Sequence, residues 1–225
     1  MPLAASIAVM TKLVLASTSP ARLTLLRAGG IEPITIAPEV DEDLVAEREI
    51  ARGAISGTAD LVLTLARAKA EAVANRPEAR GALILGCDSS LEFAGASLGK
   101  PHEPAIAIDR WRQLRGQSGA LHTGHWLIDN RSPELGKVPP ATGKASSTVV
   151  HFANLSDREI EDYVATGEPL KVAGAFTLDG LGGAFIDRIE GDPHTVIGLS
   201  LSVLRELTGR LQVHYSSLWQ IAQGK

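Results

Sequence analysis

The stretch from Leu13 to Leu26 constrains this 225-residue chain more than any other. Leu13-Val14-Leu15-Ala16 reads as a short buried strand. Ser17-Thr18-Ser19 follows as a hydroxyl-rich turn, and a helix opens at Pro20. Ser19 is a preferred N-cap, and Pro20 at the first helical position has its φ already set for the helix. Gly29-Gly30 supplies the stop. A helix N-terminus is thereby exposed at the end of a strand, with two serines, a threonine and Arg22 around it. Free backbone N–H groups and the positive end of the helix dipole make such a corner an anion site. Arg22 sits in the first helical turn, where the dipole disfavours a cation, which suggests that it serves an anionic ligand.

The remaining pattern is α/β. Pro33 to Ala37 reads as a second strand, and Pro38 to Asp43 as an acidic loop. Asp60 to Asn75 reads as a helix with Leu61, Leu65, Ala68 and Ala72 on one face. Ala82 to Cys87 is a short apolar run of the kind found in a central strand, with Asp88 at its C-terminal end. Open α/β sheets place their ligands at the carboxyl ends of strands. Glu103 to Leu114 reads as a helix, and His122 to Asn130 and Ala145 to Ala153 as long strands. The Pro/Gly loop 131–143 lies between those strands and offers a division between two lobes. Ser156-Asp157-Arg158-Glu159 is a capping box. Ala184 to Ile189 alternates as a strand, and Leu199 to Leu207 reads as a last helix closed by Gly209. Long consecutive strands predict antiparallel pairing inside a mixed sheet.

Composition narrows the function classes. Hydrophobic residues make up 44% and charged residues 21%, as in a soluble globular protein. With a net charge of −4 and 4% aromatic residues, the chain lacks the basic excess and stacking platforms of a nucleic-acid binder. An anionic substrate must therefore meet a local basic site. No apolar run reaches membrane-spanning length, so no membrane partner is expected. The single cysteine, Cys87, permits no internal disulfide and suits a reducing cytoplasm. Residues 1–10 read as an N-terminal extension without the charged start of a signal peptide, or Met10 is the true start. Residues 11–225 are expected to form one domain.

Several side chains are candidates for chemistry. Asp88 is either a turn-capping residue or a functional carboxylate that holds a metal or acts as a base for water. Lys69 is either a solvated lysine or a cation for the same site. Lys100, between Gly99 and Pro101, has a restricted backbone that fits a fixed target. Glu39, Asp41 and Glu42 are either a solvated charge run or a source of Mg²⁺ ligands. Other chemistries fail on spacing. There is no phosphate-binding P-loop, and Gly180-Leu181-Gly182-Gly183 lacks a dinucleotide fingerprint. His122 and His125 point to opposite faces of a strand, which argues against a zinc pair. Cys87 in an apolar strand reads as core.

Taken in order, these segments resemble the Maf family of nucleoside triphosphate pyrophosphatases. The family opens with Ser-x-Ser-Pro-Arg-Arg-x-x-Leu-Leu, seen here from Ser17 to Leu26. A Val-Asp-Glu loop follows at Val40-Asp41-Glu42, and an Ala-x-x-Lys-Ala helix at Ala66, Lys69 and Ala70. Gly86-Cys87-Asp88 and Gly99-Lys100-Pro101 come next, then Thr123-Gly124, Gly167-Glu168-Pro169 with Ala173-Gly174, and Gly191-Asp192 with Gly198-Leu199. Each motif is weak alone, but the ordered set covers nearly all of residues 11–210.

The resemblance implies a mixed α/β fold similar to inosine-triphosphate pyrophosphatases, with two lobes around a cleft. It implies cleavage of a (d)NTP, standard or modified, to a monophosphate and pyrophosphate with a divalent metal, Mg²⁺ or Mn²⁺. Asp88 matches the catalytic acid, and Ser17, Ser19, Arg22, Lys69 and Lys100 match phosphate-cleft positions. Asp88 and Glu42 are the expected metal ligands. A cytoplasmic homodimer that cleanses nucleotide pools is the implied setting, and a non-catalytic regulator of septum formation is the alternative.

Three departures bear on the base. Ala21 replaces the first arginine of the usual pair, Ser89 replaces a common Thr or Gln, and Asp179 stands where branches of the family carry Gln or Glu. A carboxylate accepts hydrogen bonds and guanine's N1–H and N2 amine donate them, so a guanine-type or otherwise atypical base is expected over thymine. Val172 replaces a frequent lysine, which predicts a less basic cleft.

Overall fold

A computed structural model describes residues 10–132 and 136–220 of the chain. The expected N-terminal extension lies outside the described residues except for Met10. Among the described residues, seven strands form one mixed sheet. In chain order the first elements are β1 (Lys12–Ala16), α1 (Pro20–Ala28), β2 (Ile34–Thr35), α2 (Glu42–Ala51) and α3 (Thr58–Ala74). They are followed by β3 (Ala82–Phe93), β4 (Ala96–Leu98), α4 (Pro104–Leu114), β5 (Ser118–Asn130) and β6 (Ala141–Phe152). The chain continues through α5 (Asp157–Ala165), β7 (Ile186–Glu190), α6 (Pro193–Ile197) and α7 (Leu201–Arg210).

The sheet order is β2-β1-β3-β5-β6-β7, with β4 hairpinned onto β3. β1 pairs in parallel with β2 and with the first half of β3, and the remaining pairs are antiparallel. The apolar run from Ala82 is buried on both faces. One face packs on α1 and α7 through Leu26, Leu204 and Leu207, and the other on α3 through Ala70 and Val73. A second apolar body gathers Trp111, Phe152, Tyr163 and Phe176 at the far end of the sheet. The α1 corner has the expected form, with Ser19 accepting from the Arg22 N–H and Gly29 as the C-cap. The capping box at Ser156 is also formed, with the Ser156 N–H donating to Glu159 Oε2 at 2.7 Å.

Several expectations need correction. β3 does not stop at Cys87. Asp88 lies in its middle, because antiparallel pairing with β5 as far as Glu92, and with β4 at Phe93, carries the strand on. The acidic loop holds from Pro38 to Asp41, and its last two residues, Glu42 and Asp43, open the helix α2. Asp41 caps it by accepting from the Leu44 N–H at 3.0 Å, and none of its residues is buried, so no apolar stripe announced it. In α3 the buried face is Val62, Leu65, Ala66, Lys69, Ala70 and Val73, rotated from the expected one; Ala72 is exposed. The second strand is only Ile34–Thr35, since Pro33 has no N–H to donate. The 131–143 loop is shorter, because β6 already begins at Ala141. It joins two strands paired along their length. Residues 181–185 form a 3₁₀ turn before β7, and α7 passes Gly209 to end at Arg210.

Candidate active site

β1 ends where Ala16 pairs with Gly86, whereas β3 runs on, so Asp88 emerges just beyond the carboxyl end of the parallel pair. Its partner across β5 is Gly124. The helix α3 lies directly on these two glycines. A Cβ at Gly86 would sit 2.1 Å from the Ala66 carbonyl oxygen, and one at Gly124 would sit 2.2 Å from that of Val62. Contact of helix backbone with sheet backbone brings Lys69 Nζ to 2.6 Å from Asp88 Oδ1. Lys69 is 6% exposed and Asp88 8%, so neither is an ordinary surface charge. Glu42, the first residue of α2, reaches the same ammonium at 2.9 Å. Glu39 instead pairs with Arg76 at 2.6 Å, and Asp41 is spent on its cap. Of the three acidic candidates, only Glu42 enters the site.

Burial pushes the Asp88 carboxyl above the usual aspartate range, against the lowering pull of the Lys69 and Arg22 cations. A carboxylate with a raised pKa is a better proton acceptor than a free aspartate. Cys87, next in the strand, points into the core, and burial pushes its thiol up to about 12. It is no nucleophile. His125 is buried, held neutral with its pKa lowered to about 4 chiefly by desolvation, and its Nε2 accepts the Ser200 N–H.

Arg22 forms the opposite wall. Its Nε donates to the Gly198 carbonyl at 2.7 Å, Nη1 to Ser17 Oγ at 3.1 Å and Nη2 to Ser89 Oγ at 3.1 Å. Thr123 gives its only hydroxyl proton to the Thr195 carbonyl at 2.8 Å, so the Ser89 hydroxyl donates to Thr123 at 2.8 Å and accepts from Arg22. Ser89 thus orients the guanidinium. Three bonds hold Arg22 rigid, a fixed cation at the mouth of the α1 N-terminus.

Lys100 is exposed, yet its backbone is pinned. The preceding Gly99 carbonyl accepts from Arg110 Nη1 at 2.6 Å and from the Gly174 N–H at 3.2 Å. His102 follows with φ of 62°, its N–H donating to the Leu170 carbonyl.

All ten expected site residues line one cleft of about 650 Å³: Ser17, Ser19, Ala21, Arg22, Glu42, Lys69, Asp88, Ser89, Lys100 and Asp179. Its apolar lining comes from Leu121, Phe176, Leu178 and Val196. Lys171 and His102 line it too. Sequence reading missed both: Val172 suggested a cleft short of one lysine, but the lysine stands one residue earlier. Among the described residues no group of three or more His, Cys, Asp and Glu side chains forms a ready metal cage. Two carboxylates, Asp88 and Glu42, do converge on one point.

The Maf-like protein family model matches residues 12–211. A nucleoside triphosphate pyrophosphatase of Leifsonia xyli subsp. xyli is 52% identical over 214 residues, covering 94% of this chain and 98% of that protein. Proteins of the same name from Salinispora tropica and a Cyanothece species are 51% and 49% identical. The first covers 92% of this chain and 87% of its own length, the second 93% and 100%. Among solved structures, a HAM1 protein from Coxiella burnetii covers 93% of this chain and 95% of its own at 17% identity. Its TM-score of 0.39 is too slight a likeness to argue from.

Proposed function

Since the chain belongs to the Maf-like protein family, we propose that its cleft hydrolyses nucleoside triphosphates to the monophosphate and pyrophosphate, clearing unwanted nucleotides from the pool. The observation that carries this reading is the Lys69–Asp88 pair, buried at 2.6 Å in the floor of a cation-lined cleft. The α1 N-terminus, Arg22, Lys69 and Lys100 receive the triphosphate, with Ser17 and Ser19 at the turn. Water attacks the α-phosphorus, its proton passes to Asp88, and the bridging oxygen leaves with pyrophosphate. Lys69 and Lys100 meet the charge that develops on the leaving group. Fixed charges in a partly dehydrated cleft need no reorganisation as the reaction proceeds.

A divalent cation fits this donor set. Mg²⁺ is commonly held by one or two carboxylates, with phosphate oxygens and water filling its other positions. Asp88 and Glu42 supply two such groups, and a cation bound with the nucleotide would neutralise phosphate charge there. Lys69 bridges both carboxylates, at 2.9 Å from Glu42 and 2.6 Å from Asp88.

Asp179 lines the same cleft and is our candidate for the group that reads the base. Its carboxylate accepts the hydrogen bonds that guanine donates. A nucleotide panel is expected to rank guanine-type triphosphates above dTTP and UTP, and Asp179→Gln is expected to narrow that gap about tenfold in kcat/KM. dTTP and UTP as the best substrates of the wild-type protein would refute the base assignment. A cytoplasmic homodimer completes this reading. No described helix is long and apolar enough to cross a membrane.

A further inference from the structure

Glu168 lies outside the phosphate-binding set, yet its carboxylate is the hub of the loop that bears Asp179. Its Oε1 accepts the Tyr163 hydroxyl at 2.9 Å, the Gly182 N–H at 2.9 Å and the Thr177 hydroxyl. Its Oε2 accepts the Leu181 N–H at 3.0 Å. The Tyr163 oxygen in turn accepts the Thr177 N–H at 3.3 Å. Only Leu178, Asp179 and Gly180 lie between the two anchored points, Thr177 and Leu181.

The loop wraps the carboxylate so closely that side chains are excluded. A Cβ at Gly180 would lie 2.6 Å from Glu168 Oε2, and one at Gly182 would lie 2.4 Å from the Tyr163 hydroxyl oxygen. Burial works against the charge, but donors from Thr177, Gly182, Leu181 and Tyr163 hold the Glu168 carboxyl below the usual glutamate range. Within the loop Leu178 alone packs against an apolar cluster, while Leu181 is exposed and Gly180, Gly182 and Gly183 offer no side chain, so the polar tether to Glu168 fixes the part beyond Leu178. A glycine-rich segment of this kind adopts one conformation only where outside contacts impose it. Thr177, Leu178 and Asp179 all line the cleft.

We propose that Glu168 is the positioning residue for base discrimination: it ties the loop 177–182 into one shape, so that Asp179 meets the base in one geometry. Glu168 itself touches no substrate. The inference rests on the proposed hydrolysis of nucleoside triphosphates and on Asp179 as the base-reading group.

Glu168→Gln keeps the size but sets an amide N–H₂ against one of the loop's N–H donors. In a steady-state panel, KM for the best nucleotide should rise about tenfold while kcat stays within about threefold. The kcat/KM ratio between best and worst bases should fall about tenfold. Hydrogen exchange at the Leu181 and Gly182 amides should accelerate, since both lose a firm acceptor. Thr177→Val removes a single donor and should move each quantity the same way by less; it carries the test if Glu168→Gln does not fold. A uniform loss across all bases, with the selectivity ratio intact, would overturn the proposal. Unchanged exchange at Leu181 and Gly182 would overturn it independently of activity. A wild-type protein that cleaves no nucleotide would instead sink the hydrolysis reading and the selectivity role with it, while the exchange measurement still decides whether Glu168 holds the loop.

Discussion

Asp88→Asn is expected to lower kcat/KM for every nucleotide by at least about a hundredfold, the scale of a lost positioned proton acceptor. The amide keeps the shape of the carboxylate and can still accept from Lys69, and Lys69 keeps Glu42 at 2.9 Å as its counter-charge. The thermal midpoint should therefore move little, and the loss should appear in turnover. The wild-type pH profile should carry the same signature. Desolvation by burial raises the Asp88 pKa despite the Lys69 and Arg22 charges. The ionised base then disappears as pH falls through this raised value. The acid limb of kcat/KM should lie above the ~3.9 of an unperturbed aspartate. Asp88→Asn activity near that of wild type would remove the carboxylate from the mechanism.

Gly86→Ala should have the second large effect, on both fold and activity. The new methyl would meet the Ala66 carbonyl oxygen at 2.1 Å and the Ala70 nitrogen at 2.9 Å. Those are backbone atoms of α3 and cannot swing aside as a side chain could. The helix must lift, and overpacking of this kind costs about 3 kcal/mol. That is a large fraction of the roughly 5–15 kcal/mol that stabilises a domain. Lifting α3 also draws Lys69 away from Asp88, so the folded fraction should lose more than tenfold in kcat/KM, as misplacements of about 1 Å do. Gly209→Ala is the matched control, because nothing lies within 4 Å of its Cβ and it sits inside α7. There a helix-favouring residue should stabilise by about 0.5–1 kcal/mol. Chemical denaturation of both variants measures the contrast, and a wild-type midpoint for Gly86→Ala would contradict the close approach of α3.

How far the site was legible depended on how local each signal was. The α1 corner could be read because Ser19, Pro20 and Gly29 act within their own helix. Arg22 could be picked out because a cation in a first helical turn conflicts with the dipole, and the structure resolves that conflict by sending its side chain to Gly198, Ser17 and Ser89. Asp88 was found for a partly wrong reason. The end of the apolar run predicts the end of the strand, whereas β5 sustains β3 for five more residues to Glu92 and β4 pairs with Phe93.

The misread face of α3 has a related cause. Alanines and leucines surround that helix, and Lys69 counted as polar tilted the apolar face away from its true position. A lysine buried to meet an aspartate from another element is a tertiary fact that helical periodicity does not encode. The helix α2 has no buried face, so no periodicity existed to detect. The Glu168 hub joins residues 163, 168, 177, 181 and 182, and only the folded backbone shows that four donors meet on one carboxylate.

The central claim is cleavage between the α and β phosphates in the cleft built around Asp88 and Lys69. Its most direct test incubates the wild-type protein with a nucleoside triphosphate panel and Mg²⁺ or Mn²⁺, and quantifies monophosphate, pyrophosphate and orthophosphate together. Monophosphate and pyrophosphate should appear in equal amounts, with no diphosphate. Orthophosphate released with a nucleoside diphosphate would place the cut at the wrong bond, and no hydrolysis of any nucleotide would favour a non-catalytic, regulatory role instead.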